Sequence, residues 1–435
     1  MRIGIIGGGL SGLAAAALAA RAGHQVKLFE KASEVGGRAA TQDVRGYSLN
    51  LGAHALYGGG AGVRVLDELG VRYSGGRPDG HGYAIANGSL RTLPAGFVSI
   101  LSTSLLSLSA KMEVGKLLAR VSKLDPAACM HEPVAEWIDR AVMAPDARQY
   151  LRGMFRLTTY SADLDRFSAG VAIGLLQRVV VHGVTYIDGG WSTLVEGLRR
   201  AALDAGADIV TGERAVSVET EGAEVARIRL ASGHASPADA AIIAASPSTA
   251  STLFPSSRSL ARFCRENQVA TAACLDIALS RLPKPRARFA LGIDRPLYFS
   301  VHSGLARLAP GGGAVVHAAF YRPTGSTETH DAIEAELEAT FDLLQPGWRD
   351  QVVERRFLPK LVVSNAIPTA DAGGYLGRAA EAVPEVSGLF VAGDWVGRDG
   401  CLADAALGSA KAAVEAATAL AVGSRRYTSR VAAVA

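Results

Sequence analysis

Apolar residues arrive along this chain in two kinds of block. Residues 2–6 (RIGII) form an unbroken apolar run without alternation, the pattern of a short strand covered on both faces. Residues 13–21 are almost wholly Ala and Leu, strong helix formers that are apolar all round and therefore buried all round. A second strand pattern follows at 25–30 (QVKLFE), after the turn Ala22-Gly23-His24. Comparable short runs return much later, at 206–210, 240–245 and 389–393. Helices are predicted at 63–69, 134–142, 147–159, 192–205 and 329–344, with an alanine-rich one running to about residue 420. Strand patterns at 214–219, 226–230, 270–279, 297–303 and 314–321 suit paired, largely antiparallel strands. Residues 97–118 (FVSILSTSLLSLSAKMEVGKLL) read as one helix, apolar and hydroxyl-bearing in its first half. It is either an ordinary buried helix or an exposed one able to dip into a bilayer.

The first strand and first helix are joined by Gly7-Gly8-Gly9-Leu10-Ser11-Gly12, a G-x-G-x-x-G in the strand–turn–helix context that gives the motif its meaning. Gly7 permits a tight turn, Gly9 lets the backbone approach a pyrophosphate, and Gly12 allows close helix–strand packing. The helix N-terminus then offers free N–H groups and a favourable dipole to phosphate charge. Glu30 closes the second strand eighteen residues past Gly12, where a carboxylate accepts hydrogen bonds from a ribose diol. Gly36-Gly37-Arg38 follows, two glycines for close approach and a guanidinium to neutralise pyrophosphate. Gly311-Gly312-Gly313 leads into a strand instead, so it reads as a hairpin turn and not a second nucleotide loop.

This G-x-G-x-x-G followed by E-x5-G-G-R resembles the superfamily of flavin amine oxidases, protoporphyrinogen oxidases and bacterial phytoene (carotenoid) desaturases, with the desaturase-like bacterial members the nearest. The resemblance implies non-covalently bound FAD. It also implies an α/β fold: a Rossmann-type FAD-binding domain with a parallel sheet, glutathione-reductase-like. That domain is interleaved with an α+β substrate domain of antiparallel sheet and helices. The expected division is 1–72, 186–248 and 355–422 for FAD, 73–185 and 249–354 for substrate, and a tail at 423–435. By the same resemblance, Leu10, Ser11, Lys31 and Ala53 join the glycines, Glu30 and Arg38 around the cofactor. Asn50 to His54 is similar to a D-x-G-x-H segment beside the flavin ring: Gly52 and His54 match it, and Asn50 stands where an acid is usual. His54 is thus a candidate catalytic residue, or a turn histidine with a backbone partner. Tyr186 to Trp191 (YIDGGW) is similar to the Y/F-P-x-G-G-[MW] segment, with Asp188 departing from it. Ala215 stands where a valine usually holds the adenine through its backbone. Near the C-terminus, LFVAGDW and CLADAA resemble the closing signature, which implies Gly393, Asp394, Leu402 and Ala403 at the flavin. Asp394 can accept from a ribityl hydroxyl, and the helix that follows favours the charge of a reduced flavin. Cys401 lies downstream of where a flavin-linking cysteine would stand.

The composition fits a globular α/β protein, at 49% hydrophobic and 20% charged residues over 435 positions. A length of 435 exceeds what one core usually serves. The net charge of +4, with no basic tract, gives no nucleic-acid partner. Four scattered cysteines make neither a disulfide framework nor a zinc site, and no metal is expected. A strand at residue 2 leaves no room for a cleavable signal, and no apolar run of about twenty residues predicts a membrane span. A cytoplasmic monomer or homodimer is the expectation, with peripheral membrane contact open.

The chemistry implied is hydride removal to FAD. The commonest amine oxidases carry a lysine near the flavin in the second substrate segment, but Lys284, between two prolines, is the only lysine within 271–321. The segment 296–303 (PLYFSVHS) instead resembles desaturase-like members, making His302 and Tyr298 the candidate polar groups near an apolar, isoprenoid-like substrate. No second dinucleotide motif is present, so O2 or a quinone is the expected electron acceptor. The alternatives are an amine oxidase or protoporphyrinogen-type oxidase using O2, and a flavin-binding protein without redox turnover.

Overall fold

The computed structural model describes residues 1–94 and 96–432. Five short strands form a parallel sheet in the order Asp208–Val210, Gln25–Phe29, Arg2–Ile6, Ala240–Ile243, Leu389–Val391. The helix Leu10–Arg21 packs beside this sheet with Ala14 to Ala17 fully buried. Alanines let helices approach closely: Ala410, Ala413 and Ala417 of the closing helix Ala403–Ala432 lie in the same core. That closing helix holds an apolar stretch, Ala403–Val422, long enough to cross a membrane by length and composition alone. It serves here as a core helix against Leu10–Arg21. It also runs through 423–432, which the pattern assigned to a tail, while 433–435 lie outside the described residues.

The second body is built on a seven-stranded sheet, ordered Val352–Ser364, Ala270–Leu279, Ala314–Arg322, Leu297–Val301, Phe289–Gly292, Tyr83–Ala86, Ser89–Thr92. Alternation along each strand divides its side chains between two faces. Leu275, Ile277, Phe299, Val316 and Phe320 pack on Leu337 and Phe341 of helix His330–Leu344. Ala272, Cys274, Asp276, Tyr298, Ser300, His317, Ala319 and Tyr321 take the opposite parity, toward the parallel-sheet body. Helices Val134–Ala141, Pro145–Thr159 and Ala169–His182 cluster beside this sheet.

Three expectations are corrected. Residues 97–118 are two helices, Phe97–Ser102 and Leu108–Leu118. The hydroxyls between them take backbone partners: Thr103 donates to the Thr92 carbonyl at 2.7 Å, and Ser107 caps the second helix. Nor is the stretch an ordinary buried helix, because Val98 is 77% and Leu108 76% exposed, with Leu101 and Met112 also open. The 354/355 boundary falls inside strand Val352–Ser364, which pairs along Ala270–Leu279. Finally, the strand expected through 303 stops at Val301, and His302–Gly304 is a short 3-10 turn. Helix Ala169–His182 was not legible in the pattern at all.

Candidate active site

A cavity of about 940 Å³ lies between the two bodies, walled on one side by the carboxyl ends of the parallel strands. Of the expected cofactor positions, Gly7, Gly9, Leu10, Ser11, Glu30, Lys31, Gly37, Arg38, Ala53, Ala215, Gly393, Asp394, Leu402 and Ala403 all line it. Gly12 stands behind the wall. A Cβ there would fall 1.8 Å from the Gly7 carbonyl oxygen, so the helix meets the turn only through hydrogen. Gly7 has φ +108°, a conformation glycine supplies without steric cost. Gly9 differs from both: its φ is −77°, and a Cβ would meet nothing nearer than the Gly36 oxygen at 4.0 Å. The protein therefore leaves open the space a methyl would fill, a cradle suited to a closely approaching ligand. Glu30 accepts from Gly8 N–H at 2.6 Å and Ala32 N–H at 2.9 Å, fixing the loop against the end of the second strand.

At the opposite wall Arg38 grips Asp394 bidentately, at 2.9 and 2.7 Å. Asn365 adds its backbone and side-chain N–H groups to the same carboxylate, each at 2.9 Å. Burial alone would raise the pKa of Asp394, but Arg38 and Asn365 outweigh it and hold the group at about 2. Leu402 carries a left-handed backbone, φ 54°, strain that a non-glycine residue accepts only where surrounding structure imposes it. That turn presents Leu402, Ala403 and Ala406 to the cavity, while Asp404 points away to Gly62 N–H and Arg178. Cys401 is not on the wall; its sulfur lies 3.4 Å from Arg378 Nη2.

Ala53 and His54 form a third side of the cavity. His54 is half-buried at the cavity wall, with Gly52 O and Arg38 O each 3.1 Å from a ring nitrogen. Burial drives its pKa down to about 4 despite those carbonyls, so it is neutral and donates to only one of them at a time. Asn50 accepts from Thr41 Oγ1 at 2.7 Å and Trp191 N–H at 3.0 Å, a joining role for which no charge is needed. Trp191 lines the cavity, and its Nε1–H is buried and has no hydrogen-bond partner in the protein. A buried orphan donor is rare; this one lies behind the wall that the rest of the indole helps to form.

The floor is different in kind. It consists of Ala272, Cys274, Ala319, Leu361 and Val363, with the rings of Tyr160 and Tyr321 standing 6.2 Å apart. Neither tyrosine was singled out from the sequence. The parity of strand 314–321 could have found Tyr321, and Tyr160 is held by a left-handed backbone, φ 53°, at the end of its helix. The proposed catalytic pair, Tyr298 and His302, does not line the cavity. Tyr298 OH lies 3.0 Å from His302 Nε2, and His302 stacks on Tyr186 at 3.9 Å. Burial, with His317 and His54 nearby, keeps His302 well below the ordinary histidine range. Beside it Asp276 accepts from His317 at 2.6 Å, Arg356 at 2.8 Å and Gly52 N–H at 3.1 Å. This buried network reaches the cavity through backbone, by fixing the segment that carries Ala53 and His54.

The sequence of residues 10–418 matches the profile of the family described as flavin containing amine oxidoreductase. Over 411 residues the chain is 23% identical to the 4,4'-diapolycopen-4-al dehydrogenase of Metabacillus indicus, covering 81% of this chain and 82% of that one. An oxidoreductase structure from Methanosarcina mazei superposes with a TM-score of 0.76 at 20% identity, covering 95% of this chain and all, 100%, of the other. A putrescine oxidase bound to putrescine superposes at 0.72 with 16% identity, over 96% of this chain and 99% of that one. These structural likenesses share the fold. The glycine cradle, the Glu30 and Asp394 ends of the cavity and the profile match over nearly the whole length agree, and the chain belongs to the flavin containing amine oxidoreductase family as an FAD-dependent oxidoreductase.

Proposed function

We propose that this enzyme oxidises an apolar, isoprenoid-like substrate by removing a hydride equivalent from an allylic carbon, as a desaturase-like dehydrogenase does. The observation that carries this reading is the floor: among the described residues, its wall holds no charged side chain. Abstraction of an amine proton or capture of a carboxylate would call for one, whereas an allylic C–H needs little acid–base help. Lys284 is exposed in a turn and hydrogen-bonds through its backbone to Gln345, far from any role at the cavity wall. The name of the Metabacillus relative also supports a polyene-type substrate.

Bound FAD supplies the hydride acceptor. Around it, the Gly9 wall would admit the pyrophosphate, Glu30 would hold the ribose and Asp394 the ribityl chain, with Ala215 at the adenine. The neutral phenols of Tyr160 and Tyr321 and the un-ionised thiol of Cys274 keep water and charge away from the substrate. The domain division at 1–72, 186–248 and 355–422 against 73–185 and 249–354 is part of the same reading, with the last boundary moved to the end of strand Val352–Ser364. Gly311 to Gly313 precedes a strand, which supports O2 or a quinone as acceptor over a second bound dinucleotide. Exposed Val98, Leu101, Leu108 and Met112, with Lys111 and Lys116 on the same segment, suit peripheral contact with anionic lipid. Co-sedimentation with anionic and neutral vesicles tests that contact.

The test of function is anaerobic bleaching of the flavin absorbance by candidate substrates. One panel holds carotenoid precursors and porphyrinogens in detergent, the other primary and secondary amines. Bleaching by a polyene precursor alone supports the reading. Bleaching by an amine alone overturns it.

A further inference from the structure

The floor of the cavity is a short trough with a closed end. Strand Ala270–Leu279 runs antiparallel to Ala314–Arg322, with Cys274 opposite Ala319 and Ala272 opposite Tyr321. All four residues line the cavity, as side chains two apart on a strand share a face. The Cys274–Ala319 pair is small on both sides. The next pair lies about 7 Å further along the strands, and there one side is a tyrosine, so the floor rises. At the other end of the trough sits the Gly52 turn, where a Cβ would fall 3.0 Å from Cys274 Sγ. That turn carries Ala53 and His54 to the cavity wall.

Tyr160 completes the closed end. Its ring stands edge-on to Tyr321 at 6.2 Å and to Tyr57 at 6.5 Å. Tyr321 is buried, but Tyr160 is only half-buried while lining the cavity, so it keeps free surface there. Behind it Tyr57 is 7% exposed, and its hydroxyl donates to the Thr158 carbonyl at 2.8 Å. Both rings pack with the core of the neighbouring helices, so packed protein and not solvent lies beyond them. The backbone of Tyr160 is left-handed, φ 53°, a conformation an aromatic residue holds only where its surroundings impose it. The strain falls on the residue whose ring closes the trough.

We propose that Tyr160 is a depth stop: the apolar end of the substrate lies along the Cys274–Ala319 trough and abuts this ring, which fixes how much of the molecule passes the Ala53–His54 segment. It is thereby a specificity-determining residue, because where the inserted end stops decides which carbon stands opposite the cofactor. This rests on the reading of the floor as the substrate end, and it adds a length to that reading. A trough bounded so closely takes only a short piece of chain, and the rest of a longer molecule points back toward the mouth. Each methylene buried in the trough adds affinity, while one that meets the ring adds none.

The test follows binding of a homologous series to the FAD-loaded protein under anaerobic conditions, read from perturbation of the flavin spectrum. The probes are the straight-chain alcohols hexanol, octanol, decanol, dodecanol and tetradecanol, and the prenyl alcohols geraniol, farnesol and geranylgeraniol. In the wild type, affinity is expected to rise about fourfold per added methylene and then stop rising at a limiting length. Tyr160→Gly removes the ring and suits the left-handed backbone, and it is expected to move that limit to a longer probe while shorter probes bind as before. Tyr160→Phe, which keeps the ring, is expected to leave the limit in place. Tyr160→Leu carries the same test should the glycine variant not accumulate as folded protein. A wild type without a limit overturns the proposal, as does the same limit in wild type and ring-deleted variant, or equal weakening of all probes. Loss of FAD from Tyr160→Phe, read from visible absorbance after dialysis, overturns it too, since the phenol would then serve the cofactor. If the straight-chain alcohols show a Tyr160-dependent limit and the prenyl alcohols do not bind, the isoprenoid reading falls while the depth stop stands.

Discussion

Gly9 and Gly12 sit three positions apart in one motif, yet they are glycines for opposite reasons. At Gly12 a side chain would strike the Gly7 carbonyl, so the fold itself forbids it. At Gly9 the fold has room, so the prohibition comes from the ligand. Gly12→Ala should therefore fail to accumulate as folded protein, while Gly9→Ala should fold with an unchanged apoprotein melting temperature. The Gly9 variant should bind FAD about tenfold or more weaker, the effect of 1–3 kcal/mol of overpacking. Fluorescence-detected FAD titration decides this; equal affinity in Gly9→Ala removes the cradle from the cofactor. These roles were legible because strand, turn and helix are contiguous, and chemistry at that range follows from spacing alone. Tyr321 was not legible for the converse reason. Its place on the cavity floor depends on which strands neighbour it, a property of distant residues.

Among the elements, strand Val352–Ser364 shows why pattern reading faltered. It is the edge of its sheet, carries Glu354, Arg355 and Arg356, and contains Pro359. The register slips there, with Ala272 opposite Leu361 and Cys274 opposite Leu358, so one extra residue bulges at the proline. Charge and a proline leave it without a strand pattern, whereas Ala270–Leu279, central and apolar, matched its expected bounds. The bulge does not prevent Arg356 from reaching inward to Asp276 and the Asn50 carbonyl. Asp276 thereby ties four elements together: its own strand, the edge strand, strand Ala314–Arg322 through His317, and the Gly52 turn that leads to Ala53. Replacing it with Ala strands Arg356, His317 and Gly52 N–H in a buried setting. Such a break costs about 3–5 kcal/mol, and Asp276→Asn, which keeps the shape and an acceptor, should cost less. Urea denaturation of the FAD-loaded variants measures both. If Asp276→Ala unfolds within about 1 kcal/mol of the wild type, the network does not hold the floor.

For the whole molecule, the titratable groups gathered between the two bodies set the range of pH in which they stay together. His54 is neutral in the folded protein down to about pH 4, and His302 lies well below the usual histidine range, both through burial. In the unfolded chain each titrates near 6.5. As pH falls below that value the unfolded state gains protons that the folded state refuses, so stability declines toward pH 4. His54 alone accounts for about 3 kcal/mol across that window. Asp394, held at about 2, and Asp276, also lowered, act in a second window: their contribution is whole above about pH 4 and is lost below it. The buried thiol of Cys274 sets the alkaline limit, because only the unfolded chain ionises it at about pH 8.5, and the buried phenols of Tyr298 and Tyr321, raised well above 10, add to the loss at higher pH. Stability should thus form a plateau from about pH 6.5 to 8.5 and fall on both sides, well before the carboxylates are protonated on the acid side. Urea melts of FAD-loaded protein at pH 7.0, 5.5 and 4.5 measure the acid slope, and His54→Gln should reduce it by about one proton. Flat stability between pH 7.0 and 4.5 would show that His54 and His302 remain free to protonate in the folded state, and that water reaches the space between the bodies.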